Sequence, residues 1–231
     1  MTVLFAYLSA KCDAGFLCAD NLEGNNSAKV DKVFLQWRRF AIGITGPEFL
    51  RDALAMIGWL DLPVNARYCD GQQVTAISSV QQLVRQLETT LPRIAKQQDK
   101  SFQDKLTRGV GTKEQYEIWS NQCGTFVVLD YVEKRLFELA NDTCVSNLAA
   151  GIPPKFRSKG LPREQVFRFG GGASIATVTA EIVANPRAHA VHWIEQAATL
   201  TSNPLGALGA SLTFSGSHVE FQSALNSVAT C

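Results

Sequence analysis

The chain of 231 residues is 46% hydrophobic and 19% charged, an ordinary globular balance that fits one large domain or two small ones. Its net charge of +1 gives no electrostatic footprint for nucleic acid or for an anionic membrane surface. No apolar run reaches the roughly 20 residues of a spanning helix, the start lacks the basic region of a secretory signal, and six scattered cysteines without a C-x-x-C spacing fit reduced thiols, so a soluble, cytoplasmic protein is expected.

Thr2 to Ser9 and Gly15 to Ala19 read as two short strands joined by a polar turn over Ala10–Ala14. Asp20 stops the second strand, and the composition of 21–27 is that of a loop. A third strand is expected over Lys29–Leu35; its alternation puts Val30, Lys32 and Phe34 on one face, with Lys32 the odd member. A fourth, Arg39–Thr45, ends at Gly46-Pro47, where a helix with an acidic first turn should open. After an irregular stretch over 58–73, Ile77, Val80, Leu83, Val84, Leu87 and Leu91 recur at spacings of three and four, the pattern of an amphipathic helix that Pro92 ends or kinks. The polar segment 96–122 carries no clear pattern. Thr125–Asp130 and Arg135–Leu139 suggest a strand pair, and 143–164, with three prolines and four basic residues, a long surface excursion. Val166–Phe169 reads as a strand running into three glycines. Helices are expected over 173–184 and 187–200, and a last strand pair over 211–214 and 218–221. Strands feeding two separated helical pairs predict an α+β layered sandwich, one domain over 1–231 with candidate insertions at 96–122 and 143–164.

The chemistry starts at Thr2. If Met1 is trimmed, a free α-amine and a hydroxyl share one residue at the head of an apolar strand. The amine, with a reference pKa near ~7.7–8.0, can serve as base for its own hydroxyl. Alone, a Met-Thr start carries little weight. Lys32 alone is a lysine whose stem packs while its head reaches water; Asp20 alone is a loop-opening aspartate, and Gly46 a turn glycine.

Taken together, threonine heading the first strand, "FLCAD" closing the second, "KVF" opening the third and "AIGITG" closing the fourth resemble the N-terminal-nucleophile hydrolases of the proteasome β-subunit type, including the bacterial ATP-dependent protease ring. The likeness is concentrated in 2–57, with a looser echo in 124–140 and 166–214, and Lys32 and Gly46 are fourteen residues apart, as that family leads one to expect. The resemblance implies a four-layer αββα sandwich and a threonine-type peptidase. Thr2 would be nucleophile and, through its amine, general base; Lys32 would lower the hydroxyl pKa, Asp20 would orient Lys32, and the Gly46 N–H would hold the oxyanion. Val30, Phe34 and Ile44 would line an apolar pocket for the side chain preceding the scissile bond. No cofactor or metal is expected. The partners implied are a peptide or unfolded protein as substrate, further copies of the chain in a ring or barrel, and an ATPase unfoldase.

The later pattern departs from the family. In "FRFGGGAS" the supporting serine's place falls on Gly171, with Ser174 three residues on, and after the last long helix Ser202 or Asn203 stands where an aspartate is usual. A catalytically inactive scaffold or assembly subunit is therefore the alternative, and a stand-alone amidase a third reading. Other signals are weaker. Gly170-Gly171-Gly172 lacks the context of a phosphate loop and reads as a tight turn. His189, His192 and Glu195 read as a solvated helix face, and the basic stretch 155–163 as a solvated loop.

Overall fold

The computed structural model describes residues 2–21, 30–36, 39–57, 77–170, 186–201, 208–222 and 229–230. They form eleven strands and five helices in two units, Met1–Thr45 with Phe126–Glu138 and Lys159–Cys231, and Gly46–Thr125 with Leu139–Ser158.

The first unit is built on β1 (Val3–Leu8), a run of six buried apolar residues. Such a run belongs to a strand covered on both faces. β1 pairs antiparallel with β2 (Ala14–Asp20) on one side and with β8 (Phe167–Gly170) on the other. Beyond β2 follow β9 (Leu208–Ser215), β10 (His218–Gln222) and the short β11 (Ala229–Thr230), so the sheet runs β11-β10-β9-β2-β1-β8. The alternation of β1 divides its side chains between two cores. Leu4, Ala6 and Leu8 enter a cluster with Leu17, Ala210 and Leu212 of their own sheet and Val33, Ala41, Val127 and Leu129 of the second sheet. Val3, Phe5 and Tyr7 face the other way, onto Ala190, Trp193 and Ile194 of α5 (Pro186–Thr201), with the Phe5 and Trp193 rings 4.8 Å apart. Two sheets thus pack face to face, and a helix covers the outer face of the first.

The second sheet orders β3 (Val33–Gln36), β4 (Phe40–Thr45), β5 (Gly124–Asp130), β6 (Arg135–Asn141) and β7 (Phe156–Gly160). Its last three strands divide their residues between the units. Phe40, Ile42, Phe126 and Val128, which alternate with the residues of the inter-sheet core, are fully buried too. The chain is therefore of the α+β class, with two antiparallel sheets.

In the second unit, α1 (Phe49–Met56) opens two residues after Pro47, and α2 (Val80–Thr107) starts on Ser79, whose hydroxyl accepts the Gln82 N–H at 3.2 Å. Of the two outcomes expected at Pro92, an end or a kink, α2 rules out the end, because the helix continues through it to Thr107. Proline in a helix interior loses one hydrogen bond and costs about 3 kcal/mol, but the buried stripe Leu83, Leu87, Leu91, Ile94 and Ala95 runs straight through it. Burying each large aliphatic side chain is worth about 1.5–3 kcal/mol, so the stripe outweighs the proline. The unpatterned segment 96–122 is accordingly helical, as the end of α2 and then α3 (Lys113–Ser120). A reciprocal cap starts α3: Thr112 Oγ1 accepts the Gln115 N–H at 3.1 Å, and Gln115 Oε1 accepts the Thr112 N–H at 3.0 Å. Phe102 then stacks on Trp119 at 5.4 Å, and the Tyr116 hydroxyl donates to Asp99 at 2.7 Å. The region 143–164 is likewise more ordered than its composition suggests. It contains α4 (Val145–Ala149), with Val145 and Leu148 fully buried, before the exposed edge strand β7. Expected β3 residues 30–32 precede the strand, and the expected irregular stretch over 58–73 and helix over 173–184 lie outside the described residues.

Candidate functional site

The open end of the β1–β2 pair gathers three of the sequence-derived residues. The register Leu4↔Ala19 would set Val3 opposite Asp20 one step further out, but pairing of β2 with β9 shifts between Cys18 and Asp20. There the Val3 N–H donates to the Asp20 carboxylate, Oδ1, at 2.8 Å. The Lys32 ammonium donates to the same carboxylate at 2.9 Å (Oδ1) and 2.8 Å (Oδ2). Lys32 sits just ahead of β3, held there because its carbonyl accepts the Ile44 N–H at 3.0 Å and continues the β3–β4 ladder by one step.

Burial makes this arrangement unusual. Asp20 is fully buried and the Lys32 side chain only 9% exposed. A charge taken out of water needs a partner and hydrogen bonds, and removing one member of such a pair costs about 3–5 kcal/mol. Asp20 thus links an ammonium to the main chain one residue after Thr2, which is itself half-buried ahead of β1.

Two contributors escaped the sequence reading. One is the Val3 N–H as a ligand of Asp20, a main-chain group that no side-chain pattern advertises. The other is Gly170, which pairs with Val3 and has φ +60°; a Cβ there would run into the Thr2 carbonyl oxygen. The signal was the triple glycine, read only as a turn. Glycine at this position permits both the left-handed backbone and the close approach to Thr2.

Gly46 lies in the second unit, at the end of β4, with φ +117°. A side chain there would start 2.7 Å from the Cys123 carbonyl oxygen and 2.8 Å from the Gly124 α-carbon. Of the expected pocket residues, Phe34 and Ile44 are buried and Val30 is half-buried, its N–H donating to the Asn21 carbonyl at 2.8 Å. Gly171, Ser174, Ser202 and Asn203 lie outside the described residues. On α5, His192 Nε2 is 2.8 Å from the side-chain nitrogen of Gln196, and the His189 ring lies 6.0 Å from that of Trp193. Among the described residues no helix is long and apolar enough to cross a membrane.

No protein-family model matches this chain, and no curated protein matches it.

Proposed function

We propose that the chain is a threonine-nucleophile peptidase or amidohydrolase of the proteasome-like class, acting through Thr2 once processing leaves it at the amino terminus. The observation that carries this reading is the Asp20 carboxylate, which joins the Lys32 ammonium to the N–H one residue beyond Thr2 at 2.8–2.9 Å. In such a site the amine of Thr2 takes the proton of its own Oγ, directly or through a water, as Oγ attacks the scissile carbonyl carbon. The carbonyl oxygen becomes an oxyanion. Collapse expels the amine half of the substrate, which leaves with the transferred proton, and water then hydrolyses the ester on Oγ. Lys32 favours the ionised hydroxyl and the neutral amine electrostatically, because a positive charge disfavours a second one nearby. Asp20 keeps that ammonium and the main chain at Val3 in one fixed relation. The oxyanion-donor role of Gly46 rests on the family resemblance alone.

The two facing sheets, with α5 on one outer face, support an αββα sandwich as the finer description of the fold. So does the burial of Phe40, Ile42, Phe126 and Val128 on the other side of the second sheet, since an inner layer must be covered on both faces. By the same resemblance the substrate is a peptide or unfolded protein with apolar preference, the assembly is a ring or barrel of copies, and an ATPase unfoldase supplies it.

The test is the intact mass of the purified protein before and after an epoxyketone, which joins both the amine and the hydroxyl of an N-terminal threonine. The expected result is a chain beginning at Thr2 that gains one adduct, absent in Thr2→Ala. A chain that still carries residues ahead of Thr2, or one that begins there and never reacts, removes the catalytic assignment and leaves the inactive scaffold subunit.

A further inference from the structure

In the second unit the segment joining α3 to β5 lies against the start of α4. The Val145 N–H donates to the Gln122 carbonyl at 3.1 Å, so the peptide linking Cys144 to Val145 meets the peptide linking Gln122 to Cys123. The α-carbons of Cys123 and Cys144 therefore flank a single hydrogen bond. Each α-carbon is attached to one of the two hydrogen-bonded peptides, which makes the two cysteines spatial neighbours, and neighbouring α-carbons are what a disulfide, spanning about 4.4–6.8 Å between them, requires. Cys123 is exposed and Cys144 half-buried, so both sulfurs are reachable by a small oxidant, and both are thiols in this structure.

The two sulfurs have different surroundings. Cys144 Sγ lies 3.3 Å from the Ser146 hydroxyl, which can donate to a thiolate, and that hydrogen bond is the main reason its pKa is held below the usual thiol value. Partial burial is the main cause that holds Cys123 above the usual thiol value, and the charges of Cys144 and Asp142 add to the rise. Cys18, by contrast, is wholly buried and pushed up to about 12, beyond ready ionisation.

We propose that Cys123 and Cys144 form a reversible disulfide, a modification site on the segment that Gly46 packs against. With a hydroperoxide as oxidant, the Cys144 thiolate attacks the terminal oxygen; the O–O bond breaks, Cys144 becomes a sulfenic acid, and the leaving oxygen takes a proton. The Cys123 thiolate then attacks the sulfenic sulfur, the S–S bond forms and the S–O bond breaks, releasing water. Two thiols are oxidised by two electrons in all, and one peroxide bond is reduced. A dithiol reverses the bridge. The proposal stands apart from the chemistry at Thr2.

The experiment treats the full chain with hydrogen peroxide, blocks free thiols by alkylation and maps the digest by mass spectrometry without reductant. The expected result is a linked peptide joining Cys123 to Cys144 that disappears with dithiothreitol, while Cys18 remains alkylatable only after unfolding. Cys144→Ser should abolish the link and leave Cys123 a free thiol. Cys123→Ser should leave Cys144 as a sulfenic acid that a cyclic 1,3-diketone traps. Alkylation of both cysteines after peroxide, bridges from either one to a different cysteine, or oxidation of Cys144 to sulfinic acid with no bridge would each overturn the proposal.

Discussion

Two carboxylate–cation pairs, one in each unit, have nearly the same contact distance and opposite surroundings. Lys32 meets Asp20 at 2.8 Å with side chains 9% and 0% exposed; Arg157 meets Asp142 at 2.6 Å with side chains 71% and 38% exposed. Arg157 even has the better fork, with Nε and Nη2 each on one carboxylate oxygen. Distance therefore does not grade them. The exposed pair is screened by water and salt and has little to lose when broken. The buried pair carries a desolvation penalty that a pair of well-packed apolar residues would avoid, so its presence is poorly explained by stability alone. On the proposed function, a buried charge pair tied to the main chain beside Thr2 is explained by what it positions.

The largest effect should follow from unbalancing that pair. Asp20→Asn keeps the shape and an acceptor for Val3 but leaves the Lys32 ammonium buried without its counter-charge. A loss of about 3–5 kcal/mol in unfolding free energy by urea titration is expected. Lys32→Met in the same background should recover most of it, because the orphaned charge is gone. The double variant should still fail to take the epoxyketone adduct if the pair serves Thr2. A single variant that loses less than about 1 kcal/mol would mean the carboxylate is not carrying the ammonium, and the two pairs would then belong to one class.

Gly170→Ala sharpens the comparison by touching the same corner without altering charge. At φ +60° any side chain is disfavoured, and this one would press on the Thr2 carbonyl oxygen. Backbone strain of this kind costs about 1–3 kcal/mol. The expected outcome is a stability loss below that of Asp20→Asn, together with slower adduct formation at Thr2. Normal stability and reactivity would show that the close approach of Gly170 to Thr2 does not govern the nucleophile.

How much of this was legible beforehand depends on whether the signal was a side chain or a backbone. Lys32 stood out as the odd charge on an otherwise apolar strand face, Asp20 was singled out only by the family resemblance, and the structure pairs them. The Val3 N–H looks like any other main-chain donor, and Gly170 meets Thr2 across a sequence gap that no local window spans. Strand and helix order followed from periodicity for β1, β2, β4, β5 and the first half of α2. It failed where other forces decide. α2 continues past Pro92 because buried Leu91, Ile94 and Ala95 hold it, and α3 forms on a cap and an aromatic cluster with little apolar stripe to announce them. The short β11 and the burial of α4 were missed for the same reason: tertiary cover, not composition, makes them.

The smallest effect should come from the exposed pair, and acid is the way to see it. The Arg157 hydrogen bond holds the Asp142 carboxyl below its ordinary value of 3.8. A carboxyl whose folded pKa lies below its unfolded one binds fewer protons when folded. Its contribution is complete above the unfolded value and fades as pH falls through the folded one. Arg157→Gln should therefore leave the thermal midpoint nearly unchanged at neutral pH, where exposure and screening keep the pair weak, and flatten the fall of stability below about pH 4. Asp13, lowered mainly by its hydrogen bond from Ser9, titrates in the same window but is untouched by the substitution, so it cancels between the two proteins. Repeating the acid series in about 1 M salt, where the Debye length is about 3 Å, should erase most of the remaining difference. If Arg157→Gln instead shifts the neutral midpoint as far as Asp20→Asn does, burial is not what separates the two pairs, and the positional argument for Asp20 loses its contrast.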